Sequence, residues 1–339
     1  MQYLGYPFDP ELFLYMWEQE KDPVKTAIID SPAVVQNANI ASLISKGSDI
    51  YTLPIYNIIG GTPDNYDGAT DITTDATTGK SQTGVVFGRA HGWTENQFVR
   101  DYNSGADPMA QIVSQVDKYW RKYDQRVLLG LINAAFVCAD KDTEFAKHTT
   151  NLASADTTVA DKNKIGETTI GEALVNAVGD AADQFSLAFM HSKVANRLAA
   201  LNVLEFLKYT DAQGIERQLN IGQCNGITVI VDDGVPVTKA TDSAAANYTT
   251  YVLGAGSIFT ADAPVTNPVE VDRKAEKNGG ENILYTRRRK TLHVNGFSFT
   301  KPTSGYTASP TDAQLFDAKN WSLVANPKNT ALCKIVTNG

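Results

Sequence analysis

Cysteine is scarce in this sequence, with three in 339 residues, at positions 138, 224 and 333. The number is odd, the spacing wide and no CxxC pair occurs, so neither a disulfide framework nor a zinc cluster organises the chain. Plain buried thiols in a reducing compartment are the expectation. The four histidines, His91, His148, His191 and His293, show no HxH or HxxxH spacing. A metal site would therefore have to be assembled wholly by tertiary folding. No apolar run approaches the roughly 18–20 residues of a membrane span. The longest candidate, Val127–Ala139, is interrupted by Asn133. No basic segment leading into an apolar stretch opens the chain, so no signal peptide is expected. Internal repeats and low-complexity runs are missing as well.

Catalytic signatures are equally thin. Gly79-Lys80-Ser81 has Thr74 where a phosphate loop requires glycine, and a polar loop rather than a strand precedes it. Gly254-Ala255-Gly256 lacks the third glycine of a dinucleotide site, and strand termination is its plainer role. There is no GxSxG elbow. Asp64, Asp67, Asp71 and Asp75 could bind calcium only outside the helix–loop–helix pattern, and solvation of an exposed loop accounts for them. No catalytic, cofactor-binding or metal residue is assigned.

Net charge is −8, which argues against sequence-independent nucleic-acid binding over the whole surface. The charge is uneven: residues 1–100 carry 6 basic and 12 acidic side chains, and residues 281–339 carry 8 and 3. Opposite-signed ends suit copies that meet head to tail.

What the sequence does have is one long helix, expected over Asp107–Ala139. Asp107 is placed to cap it and Pro108 to open it. Ile112, Val116, Trp120, Tyr123, Val127, Leu131 and Ala135 recur every three or four residues and form its apolar face. Asp117, Lys118, Arg121, Lys122 and Asp124 are expected on the wet side. Before the helix, Ile50–Ile59 reads as a strand whose Pro54 marks a sheet edge. A polar tip, Gly60–Lys80, follows, and a second strand begins at Ser81. Together they describe an extended β-hairpin arm with too little apolar material to fold alone. Phe13–Trp17 forms an apolar cluster near the start of the chain that must pack on something else.

After a polar linker, Asn151–Glu167, the pattern alternates. Thr169–Ala182 reads as helix, Phe185–Met190 as strand and His191–Leu207 as helix. Gly226–Val231 and Tyr248–Leu253 read as strands, giving α/β or α+β structure with a small sheet. Ile283–Val294 reads as one long strand carrying Arg287-Arg288-Arg289-Lys290, with Gly296–Thr300 extending it. Strand alternation would split those four charges between two faces, so ion pairing competes with phosphate binding as their role. Order resumes at Leu315–Lys319, and Trp321–Val324 and Ala331–Val336 end the chain.

This order of parts resembles the major capsid protein of tailed bacteriophages, the Hong Kong 97 fold. Particular stretches are also similar to phage capsid sequences: Gly88-Arg89-Ala90-His91-Gly92-Trp93, Asp107-Pro108-Met109, Met190-His191-Ser192-Lys193 and Asn320-Trp321. The resemblance implies an α+β Hong Kong 97-like fold. Residues 1–49 would be an N-terminal arm and residues 50–100 an extended loop overlapping a neighbouring subunit. Residues 101–150 would form a peripheral domain around the spine helix 107–139, and residues 151–264 an axial domain. Residues 265–339 would return to the peripheral domain. It further implies a virion protein that is not an enzyme, forms pentamers and hexamers, and builds an icosahedral shell around double-stranded DNA without cofactor or membrane. A separate scaffolding protein, a portal and a decoration protein are the implied partners, with DNA contacted non-specifically on the inner face. Assembly would take place in the host cytoplasm. Lys80 sits near the tip where some members form a covalent crosslink, but no partner asparagine or catalytic acid can be matched here. A capsid-derived compartment enclosing protein cargo is the nearest alternative. More distant are a tail-structural protein and an α/β enzyme with a ligand loop at Gly254–Phe259.

Overall fold

The computed structural model describes residues 2–3, 6–7, 28–45, 47–56, 59–68, 71–76, 79–96, 108–210, 216–224, 226–239, 241 and 244–339. The cluster expected at Phe13–Trp17 and the cap expected at Asp107 lie outside these residues. In chain order, β1 (Val34–Gln36) and α1 (Ala38–Ile44) precede the hairpin strands β2 (Ile50–Tyr56) and β3 (Gly79–Val85). Next come β4 (Phe87–Asn96), α2 (Pro108–Ala139) and β5 (Thr149–Asn151). The middle section holds α3 (Thr169–Val178), β6 (Phe185–Met190), α4 (Ser192–Ala200), β7 (Glu205–Thr210), β8 (Glu216–Cys224), β9 (Ile227–Val231) and β10 (Asn247–Gly254). The remainder comprises β11 (Ile258–Ala263), β12 (Val269–Lys274), β13 (Glu281–Val294), β14 (Phe297–Phe299), α5 (Asp312–Phe316), β15 (Trp321–Leu323) and β16 (Leu332–Thr337).

Two large sheets form. The first runs β5-β16-β10-β6-β9-β8-β7, with the two-residue strand Val237–Thr238 also on β10. Its central strands are apolar on both faces because both are covered. Leu187, Phe189, Tyr251 and Leu253 point toward α2. Ala188, Met190 and Val252, one residue out of phase, point toward α3 and α4. The second sheet is centred on β13. One edge of β13 carries β12 and then β11, with β1 beyond β11, and the other edge carries β4.

The 32 residues of α2 span about 48 Å. Val127, Leu128, Leu131, Ile132 and Phe136 are buried in one cluster with residues of both sheets, so the helix ties the two together. Each such side chain contributes roughly 1.5–3 kcal/mol by leaving water. Gly130 interrupts this apolar half, and glycine inside a helix costs about 1 kcal/mol relative to alanine. The reason is contact: a Cβ there would fall 2.3 Å from the Phe316 ring of α5.

Toward its N-terminal half α2 meets β13 through charge. Asp124 was expected on the wet side but is 4% exposed. Arg288 grips its carboxylate with both terminal nitrogens, and Lys290 Nζ lies 2.8 Å away. The Arg288 guanidinium also sits 4.2 Å over the Trp120 ring, and Trp120 Nε1 donates to Thr286 Oγ1 at 3.2 Å. Two cations around one carboxylate offset its desolvation. The helical spacing alone does not reveal this, because the partners lie more than 160 positions away.

Other departures are local. The helix expected over His191–Leu207 ends at Ala200, since Asn202 takes a left-handed φ of 56° and Glu205 opens a strand. Gly296–Thr300 does not extend β13: Gly296, at φ 92°, turns the chain so that β14 pairs with β15. The reading of Gly254–Phe259 as a ligand loop also fails in part, because Ile258 and Phe259 belong to β11. Strands β1, β7, β8 and β11 were not expected. Of the end of the expected helix Thr169–Ala182, the part beyond Val178 is 3₁₀.

Replacing Asp124 by alanine should destabilise the subunit by roughly 2–3 kcal/mol, less than a fully buried pair because Arg288 and Lys290 retain some water. Chemical denaturation checks this, and adding Lys290→Met should restore part of the loss.

Candidate assembly surfaces

The chemistry-bearing residues are scattered. His148 is buried with Nδ1 2.7 Å from the Leu332 carbonyl and its ring stacked on Phe145. His191 caps α4 by accepting from Lys193 N at 3.1 Å. His91 is exposed and stacks on Tyr119, and His293 is wholly buried. Among the described residues no three His, Cys, Asp or Glu side chains come together as a metal site. Cys138, Cys224 and Cys333 are free thiols, and burial raises all three, Cys138 to about 11 and Cys333 to about 12.

Asp64 is committed locally, accepting from Thr73 N and Oγ1 at 2.6 and 2.7 Å, which holds its carboxyl below the usual range. Lys80 Nζ donates to the Val324 carbonyl at 3.1 Å. Residues Ala255–Ser257 line a shallow depression of about 300 Å³ together with Gln184, Asn295, Asn329 and Thr330. None of its lining side chains is ionisable.

The capsid-like motif residues instead hold the frame. Asp312 accepts from Arg89 at 2.6 Å, Arg126 at 3.0 Å and Tyr123 Oη at 2.6 Å, joining β4, α2 and α5. Burial opposes its ionisation, yet the Tyr123 and Arg89 hydrogen bonds leave the Asp312 carboxyl below its usual range. Trp321 Nε1 donates to the Leu315 carbonyl at 2.8 Å and its ring packs on Phe299 and His293. Thr311 and Gln314 form a capping box that fixes the start of α5. Met109 has no described side chain.

The hairpin divides into an anchored root and a bare tip. Strands β2 and β3 pair antiparallel from Ile50↔Val85 to Tyr56↔Gly79. At the root, Tyr51 Oη lies 3.2 Å from Thr291 Oγ1, and the Gln82 amide donates to His293 Nε2 at 2.5 Å. Thr83 N donates to Ser298 Oγ at 3.1 Å, and Lys301 pairs with Asp49 at 2.6 Å. Beyond the root, Tyr56, Ile59, Tyr66 and Ile72 are 77, 81, 92 and 73% exposed. No single-sequence signal marks Gln82 or Thr291 as clamp residues, because their partners are more than 200 positions away.

The four charges of β13 divide by face, as alternation requires. Arg288 and Lys290 point at Asp124. Arg287 reaches Glu270 at 2.7 Å and Arg289 reaches the Ser48 carbonyl at 3.0 Å, on the opposite side.

A family model described as Major capsid protein 13-like matches residues 101–333. The major capsid protein of Bacillus phage SPP1 is 27% identical over 308 residues, covering 89% of this chain and 88% of that protein. Among solved structures, the capsid of Ralstonia phage GP4 aligns with a TM-score of 0.57 at 11% identity, covering 94% of both chains. The capsid of cyanophage Pam1 aligns at 0.59 and 11% identity, covering 94% of this chain and 93% of that one. These likenesses show a common α+β capsid fold of the Hong Kong 97 type.

Burial pushes the His293 imidazole from 6.5 down to about 4. The unfolded chain therefore binds a proton near pH 6.5 that the folded chain refuses until about pH 4. Stability intact above pH 6.5 should fall as pH drops through this window, by at most about 3 kcal/mol from this group. His148 shifts in the same direction. Melting temperature followed from neutral to acid pH should fall less steeply in His293→Gln than in the unaltered chain.

Proposed function

Since the chain belongs to the major capsid protein 13-like family, we propose that its copies assemble as pentamers and hexamers into an icosahedral shell enclosing double-stranded phage DNA. The chain is a structural major capsid protein of a tailed phage and not an enzyme. The enzyme alternative at Gly254–Phe259 is withdrawn on that ground.

The observation that carries the reading is the arm. Its root is hydrogen-bonded to its own subunit, whereas its tip exposes four large apolar side chains. Such a surface is costly for a lone chain and ordinary for one that a neighbour covers. In this reading residues 50–100 overlap an adjacent subunit and residues 1–49 form a second arm. Residues 101–150 and 265–339 are peripheral, and residues 151–264 are axial, meeting their copies at the capsomer centre. Many modest contacts per subunit then add up across a closed shell, with no single contact needing to be tight. DNA is held by confinement, with non-specific contacts on the inner face, which suits a net charge of −8. A separate scaffolding protein, a portal and a decoration protein complete the particle, which forms in the host cytoplasm.

Negative-stain microscopy and light scattering of the chain, expressed alone and with a scaffolding protein, should show closed particles. A strict monomer under both conditions would overturn the reading, and particles filled with protein instead of DNA would redirect it to a cargo compartment. Deleting Gly60–Lys80 should leave a folded subunit that forms no closed shells. Normal shells from that variant would remove the arm from assembly.

A further inference from the structure

Asparagine followed by glycine occurs four times, with the asparagines at 225, 278, 295 and 338. The pair is chemically unstable, because glycine has no side chain to bar its own nitrogen from the asparagine amide carbon. Folding decides which pairs can react, since attack requires the backbone between the two residues to rotate. Asn225 lies outside the described residues. Asn338 is buried, and its amide is held at both ends. Its Nδ2 donates to the Ser154 and Ala246 carbonyls at 3.1 and 3.2 Å and to Asn247 Oδ1 at 2.8 Å, and its Oδ1 accepts from Ser154 N at 2.7 Å. Asn295 is half-buried, and its N–H donates to the Ser257 carbonyl at 2.9 Å. The carbonyl of buried Gly296 accepts from Val324 N and Ala325 N at 2.9 and 3.1 Å. That pair is clamped on both sides.

Asn278-Gly279 escapes these restraints. It forms the exposed tip of the turn joining β12 to β13, where Asn278, Gly279 and Gly280 take φ values of 47, 78 and 106°. Such left-handed backbone suits glycine and is uncommon for other residues. Gly280 N donates to the Lys277 carbonyl at 2.7 Å and closes the tip, and no backbone bond among the described residues engages the Gly279 nitrogen. The Asn278 side chain reaches one neighbour, donating from Nδ2 to Glu281 Oε1 at 2.5 Å.

We infer that Asn278 is a self-modifying position, at which the folded chain converts its own amide to a carboxylate with water as co-reactant. Hydroxide removes the Gly279 N–H proton, and the nitrogen attacks Asn278 Cγ. The N–Cγ bond forms, the Cγ–Nδ2 bond breaks, and Nδ2 leaves as ammonia with a proton from water. Water then opens the cyclic imide at either carbonyl, giving aspartate or the isomer whose main chain runs through the side-chain carbon. The hydrogen bond to Glu281 is thereby replaced by two like charges facing each other. The Lys274↔Glu281 pair that ends the β12–β13 ladder loosens as a result. The reaction needs no partner, so it stands apart from the shell reading.

The test incubates the unaltered chain at mildly alkaline pH, folded and in guanidinium chloride, and follows each amide by peptide mass spectrometry. Asn278 should convert in the folded chain at close to its denatured rate. Asn295 and Asn338 should convert at least about tenfold more slowly folded than denatured, because local opening must come first. Protection of Asn278 equal to theirs would overturn the inference, as would an intact amide at 278 after either of the others has reacted. Asn278→Asp supplies the product charge directly in the folded chain. Trypsin should cut this variant after Lys274 faster than it cuts the unaltered chain, and equal cutting would overturn the loosening of the turn.

Discussion

Successive side chains of a β-strand point to opposite faces, and the molecule is arranged around what that does to β13. Its even positions must satisfy a helix and its odd positions a hairpin and whatever lies beyond it. Two basic side chains thereby reach the single carboxylate of Asp124, and the next two cannot. A shift of one residue in the pairing of β13 with β4 would exchange the two sets, burying Arg287 against the Asp124 side and exposing Leu284. The Asp124 cluster is therefore satisfied only in the register observed. An alignment that parted Asp124 from both cations would leave its carboxylate buried without compensation.

The same division organises rigidity. The apolar half of α2 joins both sheets in one cluster, while α3 and α4 close the far side of the larger sheet with a cluster of their own. The hairpin root is drawn into this body by Tyr51, Gln82 and Thr83. Its tip has almost nothing to pack on, as the exposure of Tyr66 shows. A stiff base and an unsupported end suit a part that finds its resting place on another molecule.

Much of this was legible in advance. The spacing from Ile112 to Ala135 and the proline at 108 announce α2, and its last residue, Ala139, falls where the apolar run stops. The split of Arg287–Lys290 follows from period two alone. Elsewhere short-range patterns misled or were silent. Leu201 and Leu204 keep helical spacing although Asn202 has already left the helix. Strand β8 alternates poorly, with Gly222 buried under Leu204. Nothing near Asp124 in sequence shows its two cations, and nothing near Gly130 shows Phe316. The polar tip Gly60–Lys80 showed in sequence that the arm lacks a core of its own, but not that Tyr51, Gln82 and Thr83 anchor its root. The order of parts, more than any motif, pointed to the family.

Pro54 sits in the middle of β2, opposite Ser81, and among the described residues no strand pairs on its other side. Proline is tolerated within a paired strand where its nitrogen faces away from the partner. The outer margin of the hairpin is thus missing a hydrogen-bond donor at its centre. A long bare strand would invite copies of the chain to zip side by side into fibres. One imino acid makes that ladder incomplete, so the margin of the hairpin is poor material for a runaway sheet.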